Sequence, residues 1–182
     1  MTRVAVFGGS FNPPHVAHVL AVSYVLACFE VDRVLVVPVF DHAFDKDLAP
    51  FERRLELARL AFAWLPGVEV SRVEERLPTP SYTLQTLERL AVDHPHWELR
   101  LMVGSDVLHE RDKWRAFDRI VALAPPLVLG RAGFPHADAP LALLPEVSST
   151  EVRGLLASAD PRVESLVPRR VLAHVRKHGL YR

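Results

Sequence analysis

The sequence predicts an α/β protein: a doubly wound parallel sheet of five or six strands with helices on both faces. Three observations predict it. Short apolar runs of strand length recur along the 182 residues, helical stripes fall between most of them, and the first run ends in a glycine-rich turn that leads into a helix. Strands that alternate with helices make a parallel sheet covered on both faces.

Taken in order, Val4–Phe7 is an unbroken apolar run and reads as a buried strand. Gly8-Gly9-Ser10 breaks it. Pro13-Pro14 stands where a helix would begin, because proline suits a first turn whose amides need no internal partner. The apolar run Val16–Phe29 continues as that helix, and Val34–Val39 is the second strand. Phe51–Trp64 carries Leu55, Leu57, Ala58, Ala61 and Phe62 at helical spacing and stops at Pro66-Gly67. Val68–Val70 is a short strand, and Ser81–Val92 has the stripe Leu84, Leu87, Leu90, Ala91. Leu99–Val103 is a strand, Trp114–Leu123 a helix and Leu127–Leu129 a strand, with Leu141–Leu144 a candidate sixth. The Pro/Ala/Gly-rich stretch Gly130–Pro140 reads as a surface loop. A helical part follows from about residue 148, ending in Pro168–His178 with proline at its start and Gly179 just past its end.

No low-complexity linker divides the chain, so residues 1–182 read as a single domain, long enough to bury a sizeable core. Residues of hydrophobic type make up 49% of it, but no apolar run reaches the roughly 18 residues of a membrane span. Met1-Thr2-Arg3 leads directly into a strand, so no signal peptide is expected. The formal net charge of zero argues against a non-specific nucleic-acid binder. The single cysteine, Cys28, falls in the first helix and is expected as a small buried hydrophobe. With no disulfide framework, the cytoplasm is the expected location. Homo-oligomerisation is left open.

Ligands of such sheets bind beyond the carboxyl ends of the strands, at a switch in strand order. Four segments fall at such ends: Gly8–His18, Asp41–Lys46, Gly104–Asp106 and Ser148–Arg153. The first, Gly-Gly-Ser-Phe-Asn-Pro-Pro-His-Val-Ala-His, joins a strand to a helix N-terminus, where free amides and the helix dipole favour an anion. His15 and His18 are three apart and share one face. A P-loop would need Gly-Lys-Ser/Thr, and the dinucleotide fingerprint a third glycine where Pro13-Pro14 stand. A zinc helix would space its histidines by four, beside a glutamate. A tight turn with two exposed histidines is the ligand-free alternative.

Ser148 with Glu151 three residues later fits a capping box, which needs no ligand. Three consecutive hydroxyl residues followed by Arg153 ask for more. A cation in a first turn opposes the helix dipole unless an anion binds there, and then Arg153 becomes its bidentate partner.

Several motifs coincide with one family. Residues 8–18 resemble the Gly-Gly-Thr/Ser-Phe-Asp/Asn-Pro-x-His-x-Gly-His signature of nucleotidyltransferases of the HIGH type, and Ser148–Arg153 resembles their Ser-Ser-Thr-x-Ile-Arg motif. Pro80–Leu87 is similar to the Pro-Ser-Tyr-Thr-x-x-Thr-Leu segment of bacterial nicotinate-nucleotide adenylyltransferases. Gly104-Ser105-Asp106, Lys113-Trp114 and the ending Val167-Pro168…Gly179-Leu180-Tyr181 match as well. The likeness runs in order from Val4 to Tyr181 and implies a Rossmann-like sheet.

It also implies transfer of AMP from ATP to nicotinic acid mononucleotide, giving deamido-NAD and pyrophosphate. By position, Gly8, Gly9, Ser10, Phe11, Asn12, His15, His18, Ser149, Thr150 and Arg153 would hold ATP, with Gly104 and Asp106 at its adenosine. Lys46, Arg54, Tyr82, Thr83, Thr86 and Trp114 would surround the pyridine nucleotide, with Trp114 stacked on the ring. His15, His18, Arg153 and Lys46 would be the catalytic cations and donors. Ala17 departs from the family's glycine, Asn12 from its commoner Asp, and Gln85, where Asp is frequent, is expected to face solvent.

The acceptor's own phosphate is already an anion and needs no general base, so catalysis would rest on alignment and charge neutralisation. Mg²⁺ would be bound mainly through the ATP phosphates, with no metal ligand assigned to a protein side chain. A helix N-terminus disfavours imidazolium and a triphosphate favours it; the triphosphate is expected to prevail. Adenylyl transfer to nicotinamide mononucleotide or phosphopantetheine, and a non-catalytic nucleotide sensor, are the alternatives.

Overall fold

The computed structural model describes residues 1–42, 47–109, 111–139 and 141–182, with the side chain of Lys113 excepted. Five strands form one parallel sheet: β1 (Thr2–Gly9), β2 (Arg33–Pro38), β3 (Val68–Val70), β4 (Trp97–Gly104) and β5 (Pro126–Leu129), in the order β3-β2-β1-β4-β5. The helices are α1 (Val16–Cys28), α2 (Phe51–Phe62), α3 (Thr83–Asp93), α4 (Ser105–His109), α5 (Phe117–Leu123), α6 (Ser149–Ala157), α7 (Val163–Leu166) and α8 (Arg169–His178). Single 3-10 turns lie at Val73–Arg76 and Arg111–Lys113. Among the described residues no helix is long and apolar enough to cross a membrane.

The apolar strands are buried on both sides, and their alternation sorts them between two cores. Ala5, Val34, Val36, Met102, Leu127 and Leu129 pack with α1, α2 and the C-terminal helices. Val4, Val6, Leu35, Val37, Leu99, Leu101, Val103 and Val128 pack with Leu84, Leu87 and Leu90 of α3 and Ile120 of α5. The strand order reverses between β1 and β4, so a crevice opens above their carboxyl ends.

Several expectations shift. The strand does not break at Gly8-Gly9: β1 runs through Gly9, which pairs with Pro38, and the chain turns at Phe11, at φ 47°. The prolines lie just outside α1, with His15 at its N-cap. Leu141–Leu144 adds no strand; Leu144 makes a single bridge to Arg131. The helix expected from Trp114 begins at Phe117, because Ala116 in front of it is left-handed, at φ 55°. Cys28 is exposed, since it is the last residue of α1 and faces outward.

Candidate active site

The crevice has two lobes that meet at Ser10. One, a cavity of about 540 Å³, is lined by His15, His18, Asp106, Arg131, Arg153 and Ser148–Thr150. The other, about 520 Å³, is lined by Gly8, Gly9, Glu74, Tyr82, Thr83, Thr86, Trp114 and Arg115. Chain segments far apart in sequence therefore converge on one cleft, all four expected at strand ends among them, Asp41–Lys46 through His42. Lys46 lies outside the described residues.

The first lobe is built where β1 turns into α1. A Cβ at Gly9 would stand 3.0 Å from the ring of Phe11, so only a bare backbone lets that ring lie back against the strand. The ring is buried and meets Phe7, His18 and Phe62 edge-on, which leaves Phe11 only its backbone to offer a ligand. The rings of His15 and His18 stack at 3.8 Å. The backbone N–H of His15 donates to Nδ1 of His18 at 3.1 Å, while the buried Nδ1 of His15 has no partner among the described residues. Burial, with Arg131 as a second cause, lowers the His15 pKa to about 4. Burial first, then His15 and Arg131, hold His18 well below its ordinary value. Both rings are thus neutral in this structure; the cationic form was expected only with a triphosphate bound.

At the opposite wall α6 presents its N-terminus. The Ser148 hydroxyl accepts from the Glu151 amide at 3.1 Å and caps the helix. Ser149 donates to the Pro13 carbonyl at 2.9 Å, and Arg153 donates to the Asn12 carbonyl at 2.9 Å and to Thr150 Oγ1 at 3.3 Å. The two segments that carry the hydroxyls and histidines are thereby joined directly. Asp106, in α4 just past β4, pairs with Arg131 at 2.7 Å. A Cβ at Gly104 would collide with Asp106 Oδ1, so glycine is required for that carboxylate to sit where it does.

Three expectations shift here: Arg54 and Asn12 were expected at a ligand, Gln85 in solvent, and of these only Asn12 lines a lobe. Arg54 is 2% exposed, and its guanidinium donates to the carbonyls of Ala49, Ser10, Val39 and Phe40. It shapes the loops around the cleft and does not face a substrate. Asn12 is 1% exposed; its Oδ1 accepts from the Ala49 amide and the Tyr181 hydroxyl, and its Nδ2 donates to the Asp47 carbonyl. Such a site needs a donor as well as an acceptor, which an ionised aspartate lacks. Gln85 does not extend into solvent: its Oε1 is buried and without a partner among the described residues. Ala17, at 7% exposure, buries its methyl in the core under the first lobe.

In the second lobe Tyr82 stands at the N-cap position of α3 and Trp114 is half-buried beside Phe117. Thr86 is buried and donates to Glu74 Oε1 at 2.9 Å, while Glu74 Oε2 accepts from the Phe40 amide. Glu74, Arg115 and Arg131 escaped the sequence reading. Arg131 lay in a stretch read as loop, and the signal that could have found it was its place just past the carboxyl end of β5, after Gly130. Among the described residues no cluster of three or more His, Cys, Asp or Glu side chains could hold a metal ion.

A family model described as cytidylyltransferase-like matches residues 6–155. A probable nicotinate-nucleotide adenylyltransferase of Anaeromyxobacter sp. (strain K) is 48% identical over 99% of this chain and 97% of its own length. Another from Thermus thermophilus is 37% identical over 99% of this chain and 100% of its own. In fold, the Plasmodium falciparum nicotinic acid mononucleotide adenylyltransferase complexed with NaAD superposes with a TM-score of 0.85 at 18% identity, covering 100% of this chain and 98% of that one. Identity of this extent, over nearly the whole of both chains, means that the chain belongs to the cytidylyltransferase-like family and, within it, to the nicotinate-nucleotide adenylyltransferases.

Proposed function

We propose that the chain transfers AMP from ATP to nicotinic acid mononucleotide, forming nicotinic acid adenine dinucleotide and pyrophosphate, a step of NAD biosynthesis. One observation carries the reading: a lobe of histidines, hydroxyls and arginines meets a lobe of aromatic and hydroxyl side chains at Ser10. The two halves of the dinucleotide product have those two chemistries, and the Plasmodium falciparum neighbour is complexed with NaAD.

In this reading ATP enters as its Mg²⁺ complex, the metal held by phosphate oxygens and water and lowering the charge on the leaving pyrophosphate. The donor set of the first lobe suits that cargo, since its cations and amides answer phosphate oxygens rather than a bare metal. Arg153, Ser149, Thr150 and the amides at the starts of α1 and α6 would bind the triphosphate. His18 would donate from Nε2 to an oxygen that gains charge as pyrophosphate departs. Trp114 and Tyr82 would hold the pyridine ring, so that the acceptor phosphate lies in line with the α-phosphorus near Ser10.

The test is pyrophosphate release from MgATP with a panel of acceptors. Release is expected with nicotinic acid mononucleotide. Preference for nicotinamide mononucleotide or phosphopantetheine, or release with no acceptor at all, overturns the reading.

A further inference from the structure

Resting on that reading, we infer that Tyr181 is a positioning residue whose hydroxyl, acting through Asn12, sets the pose in which Arg153 meets the triphosphate. Gly179, Leu180 and Tyr181 line neither lobe, yet hydrogen bonds carry the last of them to the cleft. α8 closes on Gly179, left-handed at φ 62°, and the Leu180 amide turns back to the Val175 carbonyl at 3.1 Å. Leu180 and Tyr181 then pack against the core shared with α1 and α2. Tyr181 itself stands at φ 62°, a conformation that a bulky residue keeps only where its surroundings hold it. Core packing would be served by a ring without a hydroxyl. The hydroxyl donates to Asn12 Oδ1 at 2.8 Å, and the Asn12 carbonyl accepts from Arg153 at 2.9 Å. Burial pushes the phenol up to about 12, against the pull of Arg54 and Arg153, so it remains an O–H donor at every working pH.

The loop that Tyr181 grips is strained where it enters the cleft. Phe11, directly before Asn12, is left-handed at φ 47°. Arg54 ties the Ser10 carbonyl on one side, and Ser149 ties the Pro13 carbonyl on the other. Between them, the Asn12 side chain is held by the Ala49 amide, the Asp47 carbonyl and the Tyr181 hydroxyl. The first two belong to the segment before α2, so Tyr181 alone joins this point to α8. A carbonyl that shifts takes its guanidinium with it, and Arg153 has only Thr150 Oγ1 as a second partner. Its remaining N–H donors are the ones a phosphate would use, and their aim depends on the bond to Asn12. The effect of Tyr181 therefore falls on ATP and leaves the acceptor alone.

The experiment compares wild type, Tyr181→Phe, Arg153→Ala and the double variant, each checked for folding by thermal melting. MgATP binding is read by titration calorimetry, and KM for ATP and for nicotinic acid mononucleotide from pyrophosphate release. Tyr181→Phe keeps the ring and loses one hydrogen bond. It should weaken MgATP binding and raise the KM for ATP by about fivefold, with the acceptor KM unchanged and Tm within a few degrees. In the Arg153→Ala background the same substitution should have no further effect, because the two residues act as one unit. Unchanged ATP affinity in Tyr181→Phe, with or without a lower Tm, overturns the role. So do equal rises in both KM values, or the same loss in both backgrounds. A wild type that binds MgATP but releases no pyrophosphate with any acceptor overturns the proposed activity, and the binding comparison still decides Tyr181. No MgATP binding by wild type overturns both.

Discussion

The backbone N–H of His15 donates to Nδ1 of His18, so the neutral His18 ring carries its proton on Nε2. The tautomer is set by the helix start itself, and it leaves a donor free for the cleft without an imidazolium. His18→Ala should therefore lower kcat by about a hundredfold, with a much smaller rise in the KM for ATP. Steady-state kinetics decide it; an unchanged kcat removes His18 from the chemical step.

The histidines also tie stability to pH. Burial takes His15 from 6.5 to about 4, so between those values the unfolded chain binds a proton that the folded chain refuses. Stability is complete above the upper value and is lost as pH falls through the window, at about 1.4 kcal/mol per pH unit. Melting curves between pH 7.5 and 4.5 should show a falling Tm, and His15→Gln should flatten the fall. Parallel curves for variant and wild type would refute this.

Gly104 and Asp106 offer a cleaner perturbation of the first lobe. A methyl at Gly104 would collide with the end of the Asp106 side chain, which can swing away at the expense of its pair with Arg131. Gly104→Ala should leave Tm within a few degrees yet raise the KM for ATP by about tenfold. Asp106→Asn should reproduce the kinetic effect; a normal KM in both would place the pair outside ATP binding.

Arg54 makes the opposite prediction. Its loss strands the carbonyls of Ala49, Ser10, Val39 and Phe40 in a buried site. Arg54→Met should destabilise the protein by about 3 kcal/mol, lowering Tm by roughly 6–12 °C. Calorimetry would show it, and a Tm unchanged by the substitution would mean that water replaces the guanidinium.

For Trp114 the expectation is an acceptor effect alone. Removing a stacking surface worth about 1–3 kcal/mol should raise the KM for the acceptor by one to two powers of ten, with the KM for ATP little changed. Equal acceptor KM values in Trp114→Ala and wild type would assign the ring to the core contact with Phe117.

The sequence by itself determined the parallel α/β sheet of five or six strands, the helices between them and the family, because each rests on local pattern: apolar runs, stripes at helical spacing, turn residues and ordered motifs. That Leu141–Leu144 adds no sixth strand was decided by the tertiary structure. Chemistry-bearing side chains were legible wherever they belonged to such a motif, as with His15, His18, Arg153 and Trp114. What each polar group does was decided only by tertiary structure. Asn12 and Arg54 look like ligand residues in the motif, yet packing turns both inward, where buried carbonyls and amides claim their hydrogen bonds. Arg131 looks like a surface cation, yet Asp106 holds it at the cleft. The physical reason is the same in both directions. A polar side chain goes where its donors and acceptors are satisfied, and those partners lie up to 169 residues away, as with Asn12 and Tyr181.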